Sequence, residues 1–425
     1  MTNPASNLPD TADCGCPDFR TSRRRFLQGL SASAGAAVVT GLVGDVFTQA
    51  SFARTVGGNV MVVLSLRGGS DGLSMVVPHG ETAYADLRPR IAIPTSQLLV
   101  KDAMFGLHPE FAPLEQMWTD GRFAAVQAVG MSQPNRSHFS AMEAVEDADP
   151  GSGARVGWIN RMVGLSGGGL PNGAVQLGTS IPPTALVGPA PAIAVYQLSD
   201  VSLPGDADQR QRIRRALRSM WDGNGSLMGQ AVSDTLETTT RLSALAQGND
   251  PPQNGATYPA GDLGTALRQT ARLIRAEVGT EVVALDYGSW DMHTDLGTLA
   301  WGEMQSMVRE LSRALAAFFV DLGTLGDRVT VVTISEFGRT ASENGAVGTE
   351  HGYGNAMLLL GGGVRGGSVY GVWPGLDNND MVDGDLSVTR DYRSVLVEVL
   401  TSRFPAVSVS GTFPGFTPEP IGAML

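Results

Sequence analysis

The sequence predicts an α/β chain built on a mostly parallel sheet with helices over both faces. Short, continuous apolar runs such as Val60-Met61-Val62-Val63-Leu64 have the length of strands buried on both sides. They alternate with longer segments whose apolar residues recur every three or four positions, the period of a helix. In such sheets ligands sit beyond the carboxyl ends of the strands, so the loops that leave the strands matter most.

Taken in order, Asn59–Leu66 reads as a strand ending in the tight loop Arg67-Gly68-Gly69-Ser70-Asp71-Gly72. A second strand, Phe123–Val129, runs into Ser132-Gln133-Pro134-Asn135-Arg136-Ser137, and a helix follows from His138 to about Val145. Ala174–Leu177 and Ile193–Gln197 are shorter strands. Asp206–Gln247 is helical, Gly248–Gly261 is a Gly/Pro/Asn-rich linker, and Leu263–Val278 is a helix. Glu281–Asp286 is a strand leading into Tyr287-Gly288-Ser289-Trp290-Asp291-Met292-His293. Met304, Met307, Leu311, Leu315, Phe318 and Leu322 mark one long amphipathic helix. Arg328–Ile334 is a strand ending at Ser335-Glu336-Phe337-Gly338-Arg339, Ala356–Leu360 another, and Thr389–Phe404 a closing helix.

The 425 residues are 42% apolar and 17% charged, enough for a large core. A balance of 42 acids against 30 bases disfavours nucleic acid as the main partner, because phosphate neutralisation needs a basic face. Lys101 is the only lysine, and its context fits neither a Schiff-base nor a P-loop lysine.

Residues 22–27 read Ser22-Arg23-Arg24-Arg25-Phe26-Leu27, followed to about Val46 by a weakly hydrophobic run rich in Gly, Ala and Ser. Ser51-Phe52-Ala53 places small residues where a cleavage site needs them. This pattern resembles a twin-arginine (Tat) export signal. An uncleaved anchor and an ordinary secretory signal are the alternatives. The resemblance implies residues 1–53 as the signal, engagement of the Tat translocation machinery, and a 54–425 domain, periplasmic or extracellular, without a stable membrane span. Both cysteines, Cys14 and Cys16, precede the expected cleavage point, so disulfides, thiolate metal sites and cysteine nucleophiles are excluded from the remainder.

His79, His108, His138, His293 and His351 are the histidines. Ser70-Asp71, Ser137-His138, Asp291-Met292-His293 and Glu336 each lie just after a strand or in a loop leaving one, and Glu350-His351-Gly352 lies just before the Ala356 strand. Carboxylates and imidazoles gathered at one sheet edge suit a divalent ion held by oxygen and nitrogen. Each cluster also has a structural reading. Asp71-Gly72 is a common turn pair. Ser137 suits a helix N-cap. Asp291 and His293 form a polar pair of a kind also found on surfaces. Glu336 followed by Arg339 also reads as a buried ion pair, and His351 as a hydrogen-bonder within its loop. His79 and His108 adjoin prolines and read as structural. A hydroxyl at a helix N-terminus meets free N–H groups and the positive end of the helix dipole, which favours Ser137 as the residue facing an anionic group. Arg136 or Arg339 would complete an oxyanion clamp.

Several motifs recur, in order, in a known family: Leu66-Arg67-Gly68-Gly69-Ser70-Asp71-Gly72, Phe105-Gly106-Leu107-His108-Pro109, Arg136-Ser137-His138-Phe139, Trp290-Asp291-Met292-His293, Ser335-Glu336-Phe337-Gly338-Arg339, His351-Gly352 and Asp391-Tyr392-Arg393. The chain thereby resembles the exported bacterial proteins of "domain of unknown function 1501", grouped with the alkaline-phosphatase-like and sulfatase-like superfamily. The resemblance implies a three-layer α/β/α sandwich with a metal site at the strand ends. It also implies Asp71, Asp291, His293, Glu336 and His351 as ligands of one or two divalent ions (Zn, Mn, Mg or Ca) and Ser137 at the nucleophile position. The chain departs from the superfamily where Ser335-Glu336 replaces an Asp-His pair and Glu350-His351-Gly352 replaces Asp-His-Gly. The expected function is metal-dependent hydrolysis of a small anionic phosphate or sulfate ester, the alternative a non-catalytic binding protein on the same scaffold.

Overall fold

The computed structural model describes residues 58–149, 152–165, 173–226 and 250–425, with scattered positions between 227 and 249. All belong to one compact unit, Val46–Leu425. The segment bearing the paired arginines, Cys14 and Cys16 lies outside the described residues. Among the described residues no helix is long and apolar enough to cross a membrane.

The strands are β1 (Val60–Leu66), β2 (Val76–Val77), β3 (Gly106–Leu107), β4 (Phe123–Gly130), β5 (Gly173–Leu177), β6 (Ala192–Val195), β7 (Thr280–Tyr287), β8 (Val329–Ile334), β9 (Asn355–Gly361), β10 (Val369–Tyr370) and β11 (Arg390–Asp391). The helices are α1 (Gly72–Met75), α2 (Thr82–Leu87), α3 (Glu115–Thr119), α4 (His138–Asp147), α5 (Trp158–Leu165), α6 (Ala207–Trp221), α7 (Asp262–Arg275), α8 (Glu303–Leu322), α9 (Tyr392–Arg403) and α10 (Val409–Thr412). The expected helix Asp206–Gln247 is interrupted: α6 ends at Trp221, and residues 222–226 are not helical.

The main sheet runs β10-β4-β9-β8-β1-β7-β5-β6, with β11 also beside β4. β1 is parallel to β7 and β8, as β5 is to β6 and β7. Every residue of β1 is buried, and the side chains divide by parity. Val60, Val62, Leu64 and Leu66 join a core with α7 and α8, whereas Met61 and Val63 join one with α5 and α9. Strands covered on both faces read as continuous apolar runs for this reason. The result is the three-layer α/β/α sandwich, with a mixed rather than wholly parallel sheet.

The exception is β9, antiparallel to both β4 and β8. It starts at the edge where its neighbours end. The residues just before β9 therefore meet the residues just after β1, β4, β7 and β8, which puts His351 within reach of four strand-end loops. This single reversal builds the site.

Candidate metal centre

Three imidazoles and one carboxylate converge at that edge. Nε2 of His351 lies 2.9 Å from Nε2 of His138 and 2.9 Å from Nε2 of His293. Oδ1 of Asp291 stands 3.1 Å from His351 Nε2, 3.0 Å from His293 Nε2 and 3.4 Å from His138 Nε2. His138, Asp291 and His351 by themselves form a group spaced to hold one ion. The four residues come from the start of α4, the loop after β7 and the loop before β9, and all keep part of their side chains open to solvent.

The far nitrogen of each ring is committed. His138 Nδ1 lies 2.8 Å from Glu336 Oε1, His351 Nδ1 lies 2.9 Å from the Arg136 carbonyl, and His293 Nδ1 pairs with Glu350. Carboxylates and carbonyls only accept, so each neutral ring carries its proton on Nδ1 and turns an unprotonated Nε2 inward. Lone-pair donors that meet His351 Nε2 and Asp291 Oδ1 at 2.9 to 3.4 Å with no proton among them repel one another unless positive charge sits between them. A metal ion would satisfy His138, Asp291 and His351 at once, with His293 alongside, and outward carboxylate or carbonyl partners are the usual support for metal-bound histidine. The residues fit a bound cation.

The frame around the centre is rigid. Phe337 packs under two rings, its centroid 4.9 Å from those of His138 and His351. The wholly buried Arg339 donates from Nε to the Gly69 carbonyl at 2.6 Å, and from Nη2 to the Gly68 and Trp290 carbonyls and, at 2.5 Å, to Asp291 Oδ1. It thus ties the loop after β1 to the loop after β7. Burial alone would raise the Asp291 carboxyl, but the hydrogen bond and charge of the Arg339 guanidinium oppose it, and the carboxyl is held down at about 2. Gly68, at φ +116°, makes this approach possible, since a Cβ there would lie 2.6 Å from the Asp291 nitrogen.

The structure sorts the expected site residues into three groups. Asp291, His293 and His351 come together as ligand candidates. Glu336 is displaced outward: its carboxylate receives Gly68 N–H at 2.8 Å and Ser335 Oγ–H at 3.1 Å, and it lies behind the His138 ring rather than among the converging Nε2 atoms. Asp71 stands elsewhere. Both of its oxygens are bound by the buried Arg88, at 2.6 and 3.0 Å, and Ser74 adds a bond at 2.6 Å. The expected oxyanion clamp is also corrected, because Arg136 is paired with the buried Asp385 and Arg339 is locked beneath Asp291. Ser137 is exposed at the N-cap of α4 without a side-chain capping bond, between two residues that reach the centre.

His138 is the ligand candidate missed by the sequence reading, which had joined it to Ser137 without assigning it a ligand's role. Its position at a strand-end loop was the available signal. Ser289 was missed as well. It lies in the left-handed region at φ +71°, exposed, in the wall of a cavity of about 700 Å³ that also touches His138, Asp291 and Glu336.

Residues 199–397 match a family described as "Protein of unknown function (DUF1501)". That span contains Asp291, His293, Glu336, Arg339 and His351 but not Asp71 or the 136–138 segment. No curated protein matches the chain. Among solved structures, a protein in the alkaline phosphatase superfamily from Vibrio parahaemolyticus is similar at 11% identity and a TM-score of 0.36, covering 88% of this chain and 76% of that one. A phosphonate monoester hydrolase of Agrobacterium radiobacter gives 10% identity and 0.35, covering 86% and 78%. An alkaline phosphatase from the Antarctic bacterium TAB5 gives 10% and 0.30, covering 73% and 95%. At such scores these likenesses carry no chemistry over to this chain.

Proposed function

We propose that this chain is an exported, metal-dependent hydrolase of phosphate or sulfate esters. The observation that carries the reading is the convergence of His138, His293 and His351 on Asp291 through unprotonated Nε2 atoms. A set that mixes imidazole nitrogens with a carboxylate oxygen suits Zn or Mn better than it suits Ca and Mg, which take all-oxygen shells.

A bound divalent ion supplies charge that polarises the ester oxygens and favours a deprotonated nucleophile. The protein's own groups do the rest. Glu336, Glu350 and the Arg136 carbonyl hold the three rings so that their lone pairs point inward. Arg339 keeps Asp291 ionised and fixed. Ser137, at the start of the ten-residue helix α4, offers a hydroxyl beside backbone N–H groups that favour an anionic oxygen. It stands in the nucleophile position of the reading.

Elemental analysis of the purified chain after metal reconstitution tests the centre. The wild type is expected to hold stoichiometric metal, and His138→Ala and His351→Ala to lose it. A wild type without stoichiometric metal ends the reading. A second reading, metal binding without turnover, draws on one observation: Arg136 and Arg339 are both committed to carboxylates, so neither is free to clamp an oxyanion. A panel of phosphate and sulfate esters separates the two.

A further inference from the structure

We propose that the cavity beside the centre receives the organic part of the ester, and that this part is apolar and neutral or cationic, never anionic. This rests on the hydrolase reading and adds the substrate class. The cavity, of about 700 Å³, is walled in part by His138 and Asp291, so a molecule in it adjoins the cation site. That is ample room for a small organic group.

Two kinds of surface make up the remaining wall. Phe139 and Ile181 stand 92% and 75% exposed, and Met142, Pro182 and Pro183 continue the apolar side. Large apolar groups at a cavity gain when a ligand removes them from water. The charged side consists of Glu143, Glu146, Asp286 and Arg67. Among the described residues Arg67 is the one guanidinium of this wall, and it is already spent on acids: Nε donates to Asp286 at 2.7 Å and Nη2 to Glu146 at 2.6 Å. Glu143 pairs with Arg155 at 3.1 Å, an exposed ion pair that water screens. Among the described residues the acids of the wall outnumber its guanidinium. A second anionic group on the substrate would face these carboxylates, whereas a cation meets a complementary field and the ring of Phe139. The fitting substrate is anionic at the ester and apolar, neutral or cationic beyond it, which sets aside polyanions.

Benzyltrimethylammonium, benzyl alcohol and benzoate, titrated by NMR into the full chain after chelation, test the cavity without turnover. We expect the cation to bind about tenfold more tightly than benzoate, a difference of about 1.4 kcal/mol. Glu143→Gln should shrink that preference severalfold, and Phe139→Ser should weaken all three; both side chains are on the surface. Equal affinities, tighter benzoate, no binding by any probe, or a preference unchanged in Glu143→Gln would overturn the assignment. Cation preference with no ester turned over sinks the hydrolase and the ester's place in the cavity, and leaves only the cavity's preference for cationic over anionic ligands. Aryl phosphates hydrolysed equally well with a carboxylate or a trimethylammonium substituent sink the cavity assignment and spare the hydrolase.

Discussion

Glu336 meets His138 from behind: its Oε1 lies 2.8 Å from Nδ1, while Nε2 on the far side of the same ring lies 2.9 Å from His351. The carboxylate sets the direction of a lone pair without contributing one of its own. Glu336→Gln keeps the shape but offers either an amide oxygen or a competing N–H. Metal affinity is expected to fall roughly 10- to 100-fold, with the fold retained. Competition with a chromogenic chelator measures it, and an unchanged affinity would remove Glu336 from any supporting role.

Asp71 and Arg88 give the opposite expectation. Their buried bidentate pair, 2% and 0% exposed, links the start of α1 to the Thr340 and Ala341 carbonyls that Arg88 also holds. Asp71→Asn leaves the guanidinium without its charge partner and should cost about 3–5 kcal/mol. Metal content per folded molecule should not change. Urea denaturation paired with elemental analysis checks both halves, and loss of metal at full stability would restore Asp71 as a ligand.

His108 supplies a pH dependence outside the centre. Its Nδ1 accepts the Glu110 N–H at 3.1 Å, and burial pushes the imidazole down from 6.5 to about 4. Between those values the unfolded chain binds the proton and the folded chain does not. The stabilisation is therefore complete above the unfolded value and is lost as pH falls towards the folded one, by an amount on the order of 3 kcal/mol. In His108→Asn, whose amide oxygen can still accept, the fall between pH 7 and pH 4.5 should be smaller than in the wild type by about that amount. Parallel denaturation curves at the two pH values decide it.

Two hydroxyls compete for the reacting position. Ser137→Ala is expected to abolish turnover of any ester the wild type hydrolyses, by 100-fold or more on the order seen when a nucleophile or its donor is lost. Ser289→Ala is expected to leave most of it. The reverse pattern in kcat would move the nucleophile to the loop after β7.

Much of this was legible from residue order alone. Apolar run length and helical periodicity located β1, β4, β7, β8 and β9 and the helices α4, α7, α8 and α9, because burial on a sheet face or helix stripe is a local constraint that leaves a local pattern. The same reading placed Asp291, His293, Glu336 and His351 at strand ends. What composition and spacing could not state was which partner each side chain would find. Asp71 and Glu336 are both acids just beyond a strand, yet one lies against Arg88 and the other against His138. These pairings join residues 17 and 198 positions apart: the first folds the segment after β1 back on itself, and the second follows from how the strands are ordered. The antiparallel entry of β9 brings His351 to the centre, and the choice of ring nitrogen rests on acceptors supplied by Arg136, Glu336 and Glu350. The chain order thus determined the elements and the chemical types at the sheet edge. Only the folded arrangement decided which atoms meet, because hydrogen-bond direction and charge pairing depend on neighbours that no local pattern records.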